Sequence, residues 1–318
     1  TIPNIIHKRI LEKKKKFKGL LGSLSKDKIK KIEKQMEIEF VYNSNKIEGS
    51  ALTRGETILV LQGITVGHKP LSSVIPKSLD DIQAASNHPD AMTLIKKLAF
   101  GKTHKITEVE IKSIHRLIMK GIISNAGQYR SEDISVTGAG FTPPPSYEIP
   151  KLMKNLVTLT NENPDELTPI ELATQVHYDL AWIHPFSDGN GRIARLLLNF
   201  ILLRNKYPFT VVRDVDRKTY LRTLRHMDME GEIEQFTTYI ARCVEQTLDV
   251  YLQDEKQELL SLSKLAKGTP YTADYLSLLA RKGRIDAIKQ GKIWKTTRKV
   301  ISTYVAQQQK THDKRARE

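Results

Sequence analysis

A chain of 318 residues, 39% hydrophobic and 27% charged, has the length of two or three soluble globular domains. Its longest apolar run, over 196–203, is interrupted by Asn199 and closed by Arg204; that is far short of the ~20 residues that cross a bilayer, so no membrane partner is expected. The net charge of +15 is uneven: residues 1–34 and 255–318 each carry +9, which leaves −3 on the middle, so a nucleic-acid footprint, if present, belongs to an end.

The N-terminal stretch TIPNIIHKRI has no signal-peptide pattern, and the single cysteine, Cys243, has no internal disulfide partner; both fit a cytoplasmic protein. The run Lys13–Lys16 reads as a solvated face. Ile29, Ile32, Met36, Phe40 and Ile47 recur at helical spacing, predicting an amphipathic helix over 27–48 that ends at Gly49. Further helices are expected at 78–99, 107–121, 148–162, 168–183, 190–204, 216–229 and 232–253, with Thr107…Glu110 as a capped start and Pro169 in a first turn. Residues 131–147 break this pattern. Ile134 and Val136 alternate, the chain turns at Gly138-Ala139-Gly140, and three prolines follow, which predicts a short β-hairpin with a blunted edge. Near residue 255 the composition turns basic and polar, and a boundary is placed there. The expected domains are N-terminal helices at 1–100, a core at 101–254 and a basic domain at 255–318.

The chemistry is concentrated in residues 184–195, His-Pro-Phe-Ser-Asp-Gly-Asn-Gly-Arg-Ile-Ala-Arg. One helix stops before Pro185 and another opens at a Gly-Asn-Gly turn, so free backbone N–H groups sit at the positive end of a helix dipole, a place that binds phosphate. Arg192 and Arg195 lie three apart on the first turn and can grip further phosphate oxygens. Asp188 can hold a divalent cation that phosphates also ligate. His184 is the nearby side chain suited to accepting a hydroxyl proton. Singly, each residue reads as an ordinary turn or surface position; within twelve residues they make a site for phosphoryl chemistry.

The segment matches in full the signature HPF-x-[DE]-GNGR-x-x-R, and residues 27–250 resemble the Fic family. The resemblance implies a mainly α fold, a helical Fic core with a short β-hairpin flap at 131–147; a small winged-helix-like domain is expected after it, from a separate likeness of the tail. It implies transfer of AMP from ATP to a Tyr, Thr or Ser hydroxyl of a protein target, or of the chain itself. By carry-over His184 is the base, Asp188 the ligand of Mg²⁺ (or Mn²⁺), and Gly189, Asn190 and Gly191 the anion cradle. Arg192 and Arg195 clamp the outer phosphates, Phe186 packs the loop, Thr137 and Gly138 of the flap lie near the nucleotide, and Tyr220 faces adenine or packs in the core. Doc-type kinases depart from the pattern at the second loop glycine, and Gly191 is intact; phosphocholine transfer stays open. Residues 44–49, Ser-Asn-Lys-Ile-Glu-Gly, are similar to the family's inhibitory motif, which makes Ser44 and Glu48 a brake that denies Arg195 to the γ-phosphate. In some relatives this glutamate also assists removal of AMP, so the direction of reaction stays open.

The tail is similar to a winged helix-turn-helix, with helices at 262–267 and 272–282, a wing over 284–294 turning at Gly291, and a helix over 297–305. Duplex DNA through 255–318 and a homo-oligomer therefore remain candidate partners. The competing class is a DNA-binding regulator whose Fic core senses nucleotide.

Overall fold

The computed structural model describes residues 1–63, 79–136, 141–252 and 259–315, with the side chains of 307 and 309–315 left aside. The chain divides into two compact units, one of residues 1–2 and 21–247, the other of 3–20 and 248–318.

The first unit is helical: α2 (Lys26–Ile47), α3 (Arg54–Gln62), α4 (Leu79–Phe100), α5 (Glu108–Met119), α6 (Ile149–Glu162), α7 (Pro169–Ile183), α8 (Asn190–Arg204), α9 (Arg217–Glu230) and most of α10 (Glu234–Leu252). The expected helices therefore form with ends moved by one or two residues. Their starts are fixed by local chemistry: Thr107 with Glu110 and Thr168 with Glu171 form capping boxes, and Pro169 occupies the first turn of α7. Helix α8 lies at the centre. It is apolar around most of its circumference, and Arg192 through Leu203 are all buried, as a helix packed on every side must be. Helices α7, α4 and α5 pack against it, α6 lies on α7, and α2 reaches α3, α4 and α8.

Residues 131–147 behave differently from the expected hairpin. Residues 131–136 and 141–145 carry no strand, and the turn at 137–140 lies outside the described residues. Prolines at 143–145 have no N–H to offer a ladder. The arms are joined at their base instead, where Ser146 N donates to Asp133 Oδ1 at 2.7 Å and Ser146 Oγ donates to the Ser131 carbonyl at 3.0 Å.

The second unit holds β1 (Leu260–Ser261), α11 (Leu262–Ala266), α12 (Ala273–Arg281), β2 (Ile288–Gln290), β3 (Ile293–Thr296) and α13 (Arg298–Arg315). The sheet is antiparallel with β3 in the middle; Leu260 pairs with Thr296 and Ile288 with Lys295. Gly291, at φ +60°, makes the β2–β3 turn. Leu262, Leu265, Leu276, Leu279, Ile285 and Ile301 form the core.

Helix α1 (Asn4–Ser23) belongs mainly to this second unit, an association that its position in the sequence does not signal. It corrects the reading of the lysine run at Lys13, while Lys15 and Lys16 are exposed as expected. The Lys13 side chain is 10% exposed and bridges Asp249 at 2.7 Å and Asp286 at 2.6 Å, and Phe17 meets Tyr251 edge-on at 5.0 Å.

Candidate active site

His184 ends α7 in the left-handed conformation, φ +49°, and Pro185 keeps the helix from continuing. Its Nδ1 lies 3.1 Å from the Ala181 carbonyl. A carbonyl can only accept, so Nδ1 carries the proton and Nε2 keeps its lone pair. Burial holds the His184 pKa below its ordinary value, and the Arg130 guanidinium pushes the same way; the Ala181 carbonyl, Glu48 and Asp188 push back. The imidazole is therefore neutral at pH 7 and able to take a proton.

Arg130, which no sequence motif marks, fixes this corner. Its guanidinium is buried and donates to carbonyls on three segments: Nε to His184 at 2.8 Å, Nη1 to Glu132 at 2.8 Å and Nη2 to Pro144 at 2.6 Å. Its backbone N–H donates to the Pro185 carbonyl at 2.9 Å. One side chain thus joins the backbone of His184 to both arms of the 131–147 segment.

The loop that follows is held from within and from below. Asn190 brackets it, accepting from Phe186 N at 3.0 Å and donating to the Phe186 carbonyl at 2.8 Å. Phe186 is fully buried and stacks on His115 at 3.7 Å. His115 accepts from Gly127 N at Nδ1 (2.7 Å) and so donates from Nε2 to the Asp188 carbonyl (3.0 Å). Burial lowers its pKa to about 4, keeping that donor arrangement at neutral pH. His115 is a second supporting residue that no sequence motif marks. Gly189 has φ +80°, and a Cβ there would lie 2.8 Å from Met119 Sδ, so only glycine suits this position.

Asp188 has a half-exposed carboxylate; Oδ1 accepts from Gly189 N at 2.5 Å and Oδ2 lies 3.3 Å from Arg192 Nη2. Among the described residues no three His, Cys, Asp or Glu side chains converge as a metal site. A single accessible carboxylate beside an anion cradle nevertheless fits Mg²⁺, which takes its remaining ligands from phosphates and water.

Arg195 is fully buried. Its Nε donates to Ser44 Oγ at 3.1 Å, and Nη2 donates to the Ser44 carbonyl at 2.9 Å and to Glu48 Oε1 at 2.6 Å. Among the described residues Arg195 Nη1 and Arg192 Nε are buried with no hydrogen-bond partner, an arrangement that suits an acceptor from outside. Burial alone would lower the Arg195 pKa, but Glu48 and Tyr220 together hold it above the ordinary arginine value. The Glu48 carboxylate also stands over the loop: a Cβ on Gly191 would collide with Glu48 Oε1.

These groups border a cavity of about 460 Å³. Glu48, His184, Asn190, Gly191 and Arg195 form one end, and Trp182, Leu221 and Leu224 contribute apolar wall. Tyr220 touches the cavity, but its hydroxyl bonds His177 Nε2 at 2.9 Å and its ring packs with Phe236 and Tyr239, which is the core placement. Thr137 and Gly138 lie outside the described residues.

Residues 105–202 match the Fic/DOC family. Over 77% of its length the chain is 33% identical to a protein adenylyltransferase Fic of Nematostella vectensis, and the chain spans about half the length of the curated relatives it matches. Among solved structures it is similar to a Fic-domain-containing signalling protein of Bacteroides thetaiotaomicron, at 32% identity and TM-score 0.67, covering 79% of this chain and 99% of that one. It is also similar to Fic-1 (residues 134–508) of C. elegans, at 25% identity and TM-score 0.68, covering 78% of this chain and 71% of the other. The chain belongs to the Fic/DOC family.

Proposed function

We propose that the chain is a protein adenylyltransferase that moves AMP from ATP to a Tyr, Thr or Ser hydroxyl of a protein and is restrained by Glu48. The observation that carries this is His184, with Nε2 unprotonated at the end of the cavity where the glycine turn and Arg195 meet. Relatives named protein adenylyltransferase support it.

In this reading His184 Nε2 takes the proton of the target hydroxyl as its oxygen attacks the α-phosphorus and pyrophosphate departs. The first-turn N–H groups of α8 have no intrahelical acceptor and stabilise the charge gathering on the phosphate oxygens. Arg192 and Arg195 orient the outer phosphates. Asp188 would hold Mg²⁺ or Mn²⁺, whose chemistry here is neutralisation of phosphate charge. Glu48 competes twice, for the Arg195 guanidinium and for the space over Gly191. Ser44 supports this brake by holding the same guanidinium. A reducing, cytoplasmic setting suits the single buried Cys243; among the described residues no helix is long and apolar enough to cross a membrane. The competing reading, a nucleotide sensor, has no use for a neutral His184 or an accessible Asp188.

The test is to incubate the Glu48→Gly protein with ATP labelled at the α- or the γ-phosphate. Label is expected on protein from the α position only. Transfer of the γ label would mean a kinase, and no transfer from either position would leave the sensor.

A further inference from the structure

Placing α1 in the second unit changes what the two basic ends of the sequence mean. Residues 3–20 and 248–318 hold 22 of the 51 Lys/Arg and 9 of the 36 Asp/Glu, a balance of +13 out of +15. The two basic ends are one basic body. Within it α1 turns Ile6, Ile10 and Phe17 inward and leaves Lys8, Lys15, Lys16 and Lys18 exposed. Two of the unit's few acids, Asp249 and Asp286, are matched internally by Lys13.

The chain order β1, α11, turn, α12, β2, tight turn, β3 is that of a helix-turn-helix followed by a wing. Helix α12 buries Leu276, Leu279 and Ala280 and leaves Asp274, Tyr275, Leu278 and Arg281 exposed, with Lys282 and Arg284 just beyond it and Lys292 at the wing turn. A separate groove of about 310 Å³ is lined by Arg9, Arg284 and Lys299 beside Thr303 and Tyr304. A short helix with one free face fits the ~12 Å major groove of B-DNA, whereas the deep, narrow groove of A-form RNA admits none.

We propose that residues 3–20 and 248–318 form a duplex-DNA-binding module. Helix α12 enters the major groove, and Arg284, Lys292, Lys299 and the exposed lysines of α1 meet phosphates. The inference does not rest on adenylyl transfer, and its test reads DNA binding alone.

The full-length protein is titrated against a fluorescent DNA duplex of about twenty base pairs, an RNA duplex of the same sequence, and polyglutamate. DNA affinity is expected to fall by ~10³-fold or more between ~50 and ~200 mM salt, with a log–log slope near −0.9 per phosphate contact. The double variant R284E/K292E should bind DNA at least tenfold more weakly and flatten the slope by about two. The variant K8Q/K15Q/K16Q, changed only at exposed positions, should flatten it as well. Absence of duplex binding at ~50 mM salt would overturn the proposal, as would equal affinity for RNA or polyglutamate. Folded variants that bind like the parent would overturn it too, and an unchanged slope in the lysine variant alone would remove α1 from the DNA-contacting surface.

Discussion

Replacing Glu48 by Gln keeps the size of the side chain and removes its charge, whereas Gly removes both, so the pair separates the two ways in which Glu48 is proposed to restrain the site. A hydrogen bond to a charged group contributes about 1.5–3 kcal/mol. The Glu48 side chain is 38% exposed, so solvent screening places its bond to Arg195 at the low end, about 1.5 kcal/mol. That is roughly tenfold in the competition with a phosphate oxygen. The Gln amide still stands over Gly191, so the nucleotide stays displaced, and displacement by itself costs ~10²-fold in rate. The expected order of initial rates at saturating ATP is wild type, then Glu48→Gln about tenfold faster, then Glu48→Gly faster by about 100-fold or more. Without nucleotide both variants leave the buried Arg195 with no carboxylate. Loss of one partner of a buried pair costs about 3–5 kcal/mol; because Ser44 retains its two bonds, about 2 kcal/mol, or ~4–8 °C in Tm, is expected. ATP should restore the loss, so its thermal shift is larger in the variants than in wild type. Rates measured with α-labelled ATP and melting curves with and without ATP check both parts. Equal rates for all three proteins would refute the reasoning, and so would fast variants whose ATP-induced shift equals that of wild type.

Two further outcomes concern His184, the proposed base, and its support. His184 must be neutral to accept a proton, and its pKa is held below the ordinary value by burial and Arg130; kcat/KM should therefore rise through a pKa below ~6.5 and be flat above it. Because Glu48 raises that pKa, the acidic limb of Glu48→Gln should lie at lower pH than that of wild type, and a shift to higher pH would contradict the assignment. Arg130→Met leaves the carbonyls of His184, Glu132 and Pro144 without their donor. A loss of about 3 kcal/mol by urea melting is expected, at about 1 kcal/mol per bond, together with a fall in kcat that Arg130→Lys recovers only in part; unaltered melting and turnover in Arg130→Met would exclude the positioning role.

What the sequence disclosed follows from how local the cause is. Helix boundaries at Thr107 and Thr168 are decided by a hydroxyl and a carboxylate three residues apart, so they can be read from a string of letters. The loop after His184 is legible for the same reason, since a base, a carboxylate, glycines and arginines within twelve positions have few other uses. The Glu48 contact joins residues 147 apart in the chain, and only the resemblance of 44–49 to a known motif could anticipate it. Nothing comparable announces Arg130 or His115. An arginine whose hydrogen bonds run to backbone carbonyls and a histidine under a phenylalanine have no sequence signature, because a carbonyl is present at every residue and the choice of which one is made by tertiary packing. Helix α1 carries the same lesson at larger scale. Its lysine run looks like any solvated face until two aspartates more than 230 positions away prove to hold one of its members. The placement of a charge is thus a property of the fold even where its sign is written in the sequence, and +13 on one unit has a different physical meaning from +9 at each of two ends.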